Sequence, residues 1–87
     1  MRLKYSFEIM EVEGQSYAVP MEDCEGNFSG VIKLTGTAAV IFELLKEETD
    51  EASIVENMSH RYDISRDILA ADVHSMVMKL ETKGLLA

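Results

Sequence analysis

Residues 31–45 read VIKLTGTAAVIFELL, and the hydrophobic period of the chain changes inside this stretch. Val31-Ile32-Lys33-Leu34 is short and rich in β-branched residues, which is typical of a strand. From Ala38 onward, apolar residues recur every three or four positions, the spacing of an amphipathic helix. Thr35 or Thr37 can cap the start of that helix. The stretch therefore divides the chain into a strand half and a helical half near residue 35.

Two segments upstream alternate apolar and polar residues, the pattern of strands with one buried face. Residues 5–9 carry the first pattern and residues 17–21 the second. Glu13-Gly14-Gln15 lies between them, and a glycine there permits the positive φ of a tight hairpin. Met10 and Val12 interrupt the first alternation. That strand is therefore expected either to be covered on both faces or to carry a bulge.

Two further helices are predicted downstream. The second starts at Thr49 or Asp50, and the third starts after Ser65 and stops at Gly84, a favoured residue just past a helix end. The third has an apolar stripe of Leu69, Val73, Met76, Val77 and Leu80. Strands followed by helices predict an α+β fold, with a three-stranded antiparallel sheet and a helical cluster on one face. The length of 87 residues favours one domain over residues 1–87.

The charge balance limits the partners. Eight Lys and Arg against sixteen Asp and Glu give a net charge of −8, concentrated in residues 22–30 and 47–51. This argues against nucleic acid and against anionic membrane surfaces. Cys24 has no second cysteine to pair with, and neither a signal peptide nor a membrane-spanning stretch is recognisable. These features predict a cytoplasmic protein.

Candidates for catalysis or metal binding are few. Cys24, His60 and His74 fall in three different predicted elements, without the spacing of a metal site. No nucleophile and base can be paired, and the glycines lack phosphate-loop spacing. The sequence therefore predicts no enzyme activity, no metal and no cofactor.

The edge of the predicted sheet is a more useful feature. An exposed edge strand can accept an extended peptide, whose main chain supplies affinity while side-chain pockets supply specificity. Residues 31–34 would be such an edge. From the residues alone, a strand covered by a loop or helix is the simpler interpretation.

The helical half resembles a known family. The quoted motifs are Leu34–Leu45, Ile54-Val55, Arg61-Tyr62-Asp63, Asp72-Val73 and Leu80–Leu86. In order and spacing they resemble the PqqD-like family, the pyrroloquinoline quinone synthesis protein D group, over about residues 31–86. Thr35 stands where members often have Asn, and Phe42 where they often have Trp. Residues 22–30 are predicted to form an acidic loop, which is not part of the family pattern.

The resemblance implies a winged helix-turn-helix-like domain that holds the leader of a ribosomally synthesised precursor peptide. The domain would present that leader to a modifying enzyme, commonly a radical S-adenosylmethionine (SAM) enzyme. The leader would add as a strand to Val31, Ile32, Lys33 and Leu34. The third helix would contribute Ile68, Asp72, Ser75, Lys79 and Lys83.

Lys33, Lys79 and Lys83 are expected on or near this groove, where they would make it less acidic than the rest of the surface. Two alternatives remain at this point. One is a winged-helix DNA-binding domain, although Arg66 is the one cation at the start of its third helix. The other is a different protein-interaction domain. An exposed edge would also permit a homodimer.

Overall fold

A tight hairpin opens the fold. The computed structural model describes residues 1–21 and 30–87. Strands β1 (Phe7–Val12) and β2 (Gln15–Pro20) run antiparallel, from the pair Phe7↔Pro20 to the pair Val12↔Gln15. Glu13 and Gly14 form the turn with φ of 52° and 78°, and two positive φ values are what a type I′ turn needs. The predicted hairpin is confirmed, with Gln15 inside β2 and Met21 outside it.

The third strand is shorter than predicted. β3 (Ile32–Leu34) pairs antiparallel with β2, which gives the sheet order β1-β2-β3. Val31, expected within this strand, lies just before it. Most of the predicted acidic loop, including Cys24, falls in residues 22–29 and so lies outside the described residues.

Three helices follow the sheet: α1 (Ala38–Leu44), α2 (Glu51–Ser59) and α3 (Arg66–Thr82). The Asp50 carboxylate accepts a hydrogen bond from the Ser53 N–H at 2.7 Å and caps α2. Ser65 caps α3 in the same way, accepting from the Ile68 N–H at 3.4 Å. Thr37 occupies the N-cap position of α1 without a side-chain hydrogen bond. The α+β order predicted from the change of period is confirmed.

The core lies between the sheet and the helices. Phe7 of β1 meets Phe42 of α1 edge to face, with ring centroids 5.2 Å apart. The whole predicted stripe of α3 is buried, and Leu85 folds back beyond Gly84 to join it. Near the termini, Leu3 forms an antiparallel bridge with Leu86. Within the described ranges, no helix has the length and apolar character needed to cross a membrane.

Candidate functional site

One side of β3 has main-chain N–H and C=O groups that do not pair with β2. The Met21 N–H donates to the Ser6 carbonyl at 2.9 Å, so the main chain of Met21 faces β1. Because this direction alternates along an antiparallel strand, Tyr17 and Val19 also face β1, whereas Ser16 and Ala18 face β3. The pairs Ser16↔Leu34 and Ala18↔Ile32 therefore carry the bonds of the β2–β3 ladder.

Lys33 consequently points its N–H and C=O away from β2. In the part of the chain that the structure describes, no strand pairs with this side of β3. The main-chain groups of Lys33 are thus available to an added strand. The edge donor is Lys33 and not Ile32, whose N–H belongs to the ladder.

The side chains of β3 divide between the two faces of the sheet. Ile32 and Leu34 are buried in the core, so in an added-strand complex they support the edge rather than touch the peptide. The exposed Lys33 side chain alternates with them and lies on the face away from the helices. The expectation that the Lys33 and Lys79 side chains lie on one groove is therefore wrong. Because side chains alternate along the strand, that of Lys33 lies on the face of the sheet away from α3.

A cavity of about 380 Å³ opens directly after β3, between the β3–α1 turn and α3. Ile41 and Met76 give it an apolar floor, and both are buried. Asp72, Ser75 and Lys79 bring an acceptor, a hydroxyl and a cation to it. Such a lining suits a side chain with an apolar body and a polar end. The remaining lining residues are Thr35, Gly36, Thr37 and Ala38.

The predicted site residues do not all meet there. Asp72, Ser75 and Lys79 line the cavity together. Ile68 is exposed one turn before Asp72 and is not part of the lining, and Lys83 is the C-cap of α3. The turn residues and Ile41 were not among the predicted site residues. Gly36, with a φ of 57°, turns the chain from β3 toward α1 and so brings these residues to the cavity.

The histidines make exposed hydrogen bonds to glutamates at the α2–α3 surface. His74 Nδ1 lies 3.1 Å from Glu51, and Glu56 lies within 3.0 Å of both His60 and Arg66. The hydrogen bonds from Arg66 and then His60 lower the pKa of Glu56. Among residues 1–21 and 30–87, no three His, Cys, Asp or Glu side chains are grouped closely enough to hold a metal ion.

Comparisons with known proteins agree with this architecture. The solved structure of TbiB1 in complex with the TbiA(beta) leader peptide superposes with a TM-score of 0.71 and 17% identity, over 99% of this chain and 94% of that chain. This likeness shows the fold. No curated protein matches the sequence. The family model for coenzyme PQQ synthesis protein D (PqqD) matches residues 9–86. This range includes most of the β1–β2 hairpin, whereas the resemblance seen in the sequence covered about residues 31–86. Because that match covers almost the whole chain, the protein belongs to the PqqD family.

Proposed function

We propose that this domain is a non-catalytic module that binds the leader segment of a ribosomally synthesised precursor peptide by adding it as a strand to β3. The observation that carries the proposal is the open main chain of Lys33 next to the cavity on α3. Membership of the PqqD family supports it. The similar fold of TbiB1, whose structure contains a leader peptide, supports it as well.

Affinity and specificity come from different parts of the site. Main-chain hydrogen bonds to Lys33 hold any extended peptide and ignore its sequence. Every second peptide side chain then faces the helices. The cavity beside Asp72 and Lys79 accepts one of these side chains and so selects among peptides. Ile32 and Leu34, buried beneath, keep the edge in place.

The leader is held so that a modifying enzyme can act on the segment that follows it. We assign this role to a radical SAM enzyme in the cytoplasm, in line with the family resemblance. The edge of β3 offers the same hydrogen bonds to a second copy of the chain. A homodimer formed there would compete with the leader for Lys33.

The charges at the start of α3 argue against the DNA-binding alternative. Arg66, at the start of α3, lies 2.7 Å from Glu56, so its charge is already paired. Asp67 and Asp72 share the first part of that helix. A recognition helix that must approach phosphates needs the opposite balance.

The test removes single edge donors. Lys33→Pro deletes the outward N–H of β3, and proline is tolerated where a strand N–H faces solvent. Its matched control is Glu11→Pro, which deletes an outward N–H from β1 at the opposite edge, since Met10 and Val12 face β2. The probe is a fluorescent synthetic peptide with the leader sequence of a cognate precursor, and binding is followed by fluorescence anisotropy.

We expect Lys33→Pro to weaken leader binding about tenfold or more, through the lost bond and the clash of its ring with the added strand. Glu11→Pro should bind like the parent. Circular dichroism checks that both variants fold. Unchanged affinity in a folded Lys33→Pro variant would contradict strand addition at β3.

A further inference from the structure

The sheet has an apolar patch on the face that points away from the helices. The outer patch consists of Met10, Val12, Tyr17, Val19 and Val31, which line a shallow depression of about 320 Å³. Met10 is 47% exposed, Val12 53% and Val31 56%. This patch explains why Met10 and Val12 interrupt the sequence alternation. Both faces of the hairpin are apolar, but the structure covers one of them.

The outer patch is continuous with the proposed leader site. Val31 belongs to the patch and directly precedes β3, and the Lys33 side chain lies on the same face. A leader added at β3 directs alternate side chains to the two faces of the sheet. One set faces the cavity at α3. The other set extends the outer patch past Val31, so that patch and leader form a single surface.

The size and charge of the patch indicate its occupant. Five side chains are far fewer than the roughly 20–30 residues that each side of a stable interface supplies. A partner must therefore contact more than the patch. A second copy is disfavoured because each chain has a net charge of −8, and because Glu8 and Glu13 are exposed at the β1 side of the patch. A partner with an apolar centre and a cationic rim fits both features.

We propose that the outer patch, completed by a docked leader, is the surface on which the modifying enzyme docks. This inference rests on the proposed function and adds to it a separate site for the enzyme. Because the enzyme contacts the patch and the leader at once, each partner raises the affinity of the other. The enzyme therefore binds the domain that carries a leader more tightly than the empty domain, so the empty domain does not compete for it.

Met10→Lys tests the patch, with Met78→Lys as its matched control. Met78 lies on α3, away from the patch, and is 47% exposed, the same fraction as Met10. The probe is the purified radical SAM enzyme that modifies the cognate precursor, and its binding is measured by biolayer interferometry with and without the synthetic leader. We expect Met10→Lys to weaken enzyme binding to the loaded domain about tenfold, because the interface would bury a lysine ammonium. Leader affinity should stay unchanged, and Met78→Lys should match the parent in enzyme binding.

Other results would overturn the inference in recognisable ways. Equal enzyme affinity of Met10→Lys and the parent would exclude the patch as the docking surface while leaving leader binding intact. A parent protein that sediments as a dimer and a Met10→Lys variant that sediments as a monomer would assign the patch to a second copy. If the parent does not bind the leader at all, the proposed function fails, and this inference fails with it.

Discussion

The two edges of the sheet differ in length, charge and surroundings. The β1 edge has six residues and bears Glu8 and Glu11, with Glu13 in the adjoining turn. The β3 edge has three residues and leads directly into a cavity against α3. Charged side chains on an edge strand discourage pairing with another chain. The comparison indicates that one edge is protected by acidic residues, whereas the other offers hydrogen bonds beside a specificity pocket.

The largest expected effect distinguishes the ladder side of β3 from its open side. Ile32→Pro removes a ladder donor to β2 and replaces a buried side chain, at a cost of about 3–5 kcal/mol in the free energy of unfolding. The melting temperature should fall by roughly 15 °C or more. Lys33→Pro should lower it far less. Equal destabilisation by the two prolines in thermal unfolding would show that the assigned direction of the β3 main chain is wrong.

The next effect concerns the cavity between the β3–α1 turn and α3. Ser75→Trp fills the cavity from an exposed position on α3, so it should weaken leader binding about tenfold without changing stability. Glu81→Trp places the same ring on another exposed face of that helix and serves as the control. Isothermal titration with the synthetic leader measures both affinities. If Ser75→Trp binds as tightly as Glu81→Trp, the cavity does not receive a leader side chain.

The smallest expected effect is a loss of stability at low pH, which arises at the Asp50 cap of α2 and does not involve either edge of the sheet. Hydrogen bonds from Ser53 lower the pKa of Asp50, with the bond from its backbone N–H the largest cause. A carboxyl with a lower pKa in the folded state stabilises the fold above its unfolded pKa, and this stabilisation is lost as pH falls through the folded value. The parent should therefore lose stability below about pH 4.

Asp50→Asn keeps a capping side chain but removes the titrating group. The fall in melting temperature between pH 7 and pH 3 should be smaller in this variant than in the parent. Leader affinity at pH 7 should be the same for both proteins. An identical pH dependence of the two melting temperatures would show that the Asp50 cap does not contribute to acid sensitivity.

The sequence predicts those elements whose own pattern determines them. The stripe from Leu69 to Leu80 and the Glu13–Gly14 turn follow from helical period and backbone preference, and the structure confirms both. The direction of the Lys33 N–H does not follow from the local sequence pattern. It depends on the register of β1 with β2 and of β2 with β3, which together decide which residues of β3 bond to β2. The cavity is formed where a turn meets a distant helix. Its lining by Thr35 and Ile41 therefore became visible only with the tertiary structure.

Amide hydrogen exchange at Lys33, followed by NMR, tests the central claim most directly. In the free domain the Lys33 amide should exchange quickly, because its N–H faces the open edge. Saturation with the synthetic leader should slow this exchange strongly, while the outward amide of Glu11 on β1 should keep its rate. A Lys33 amide that exchanges equally fast in the free and the saturated domain would contradict strand addition at β3.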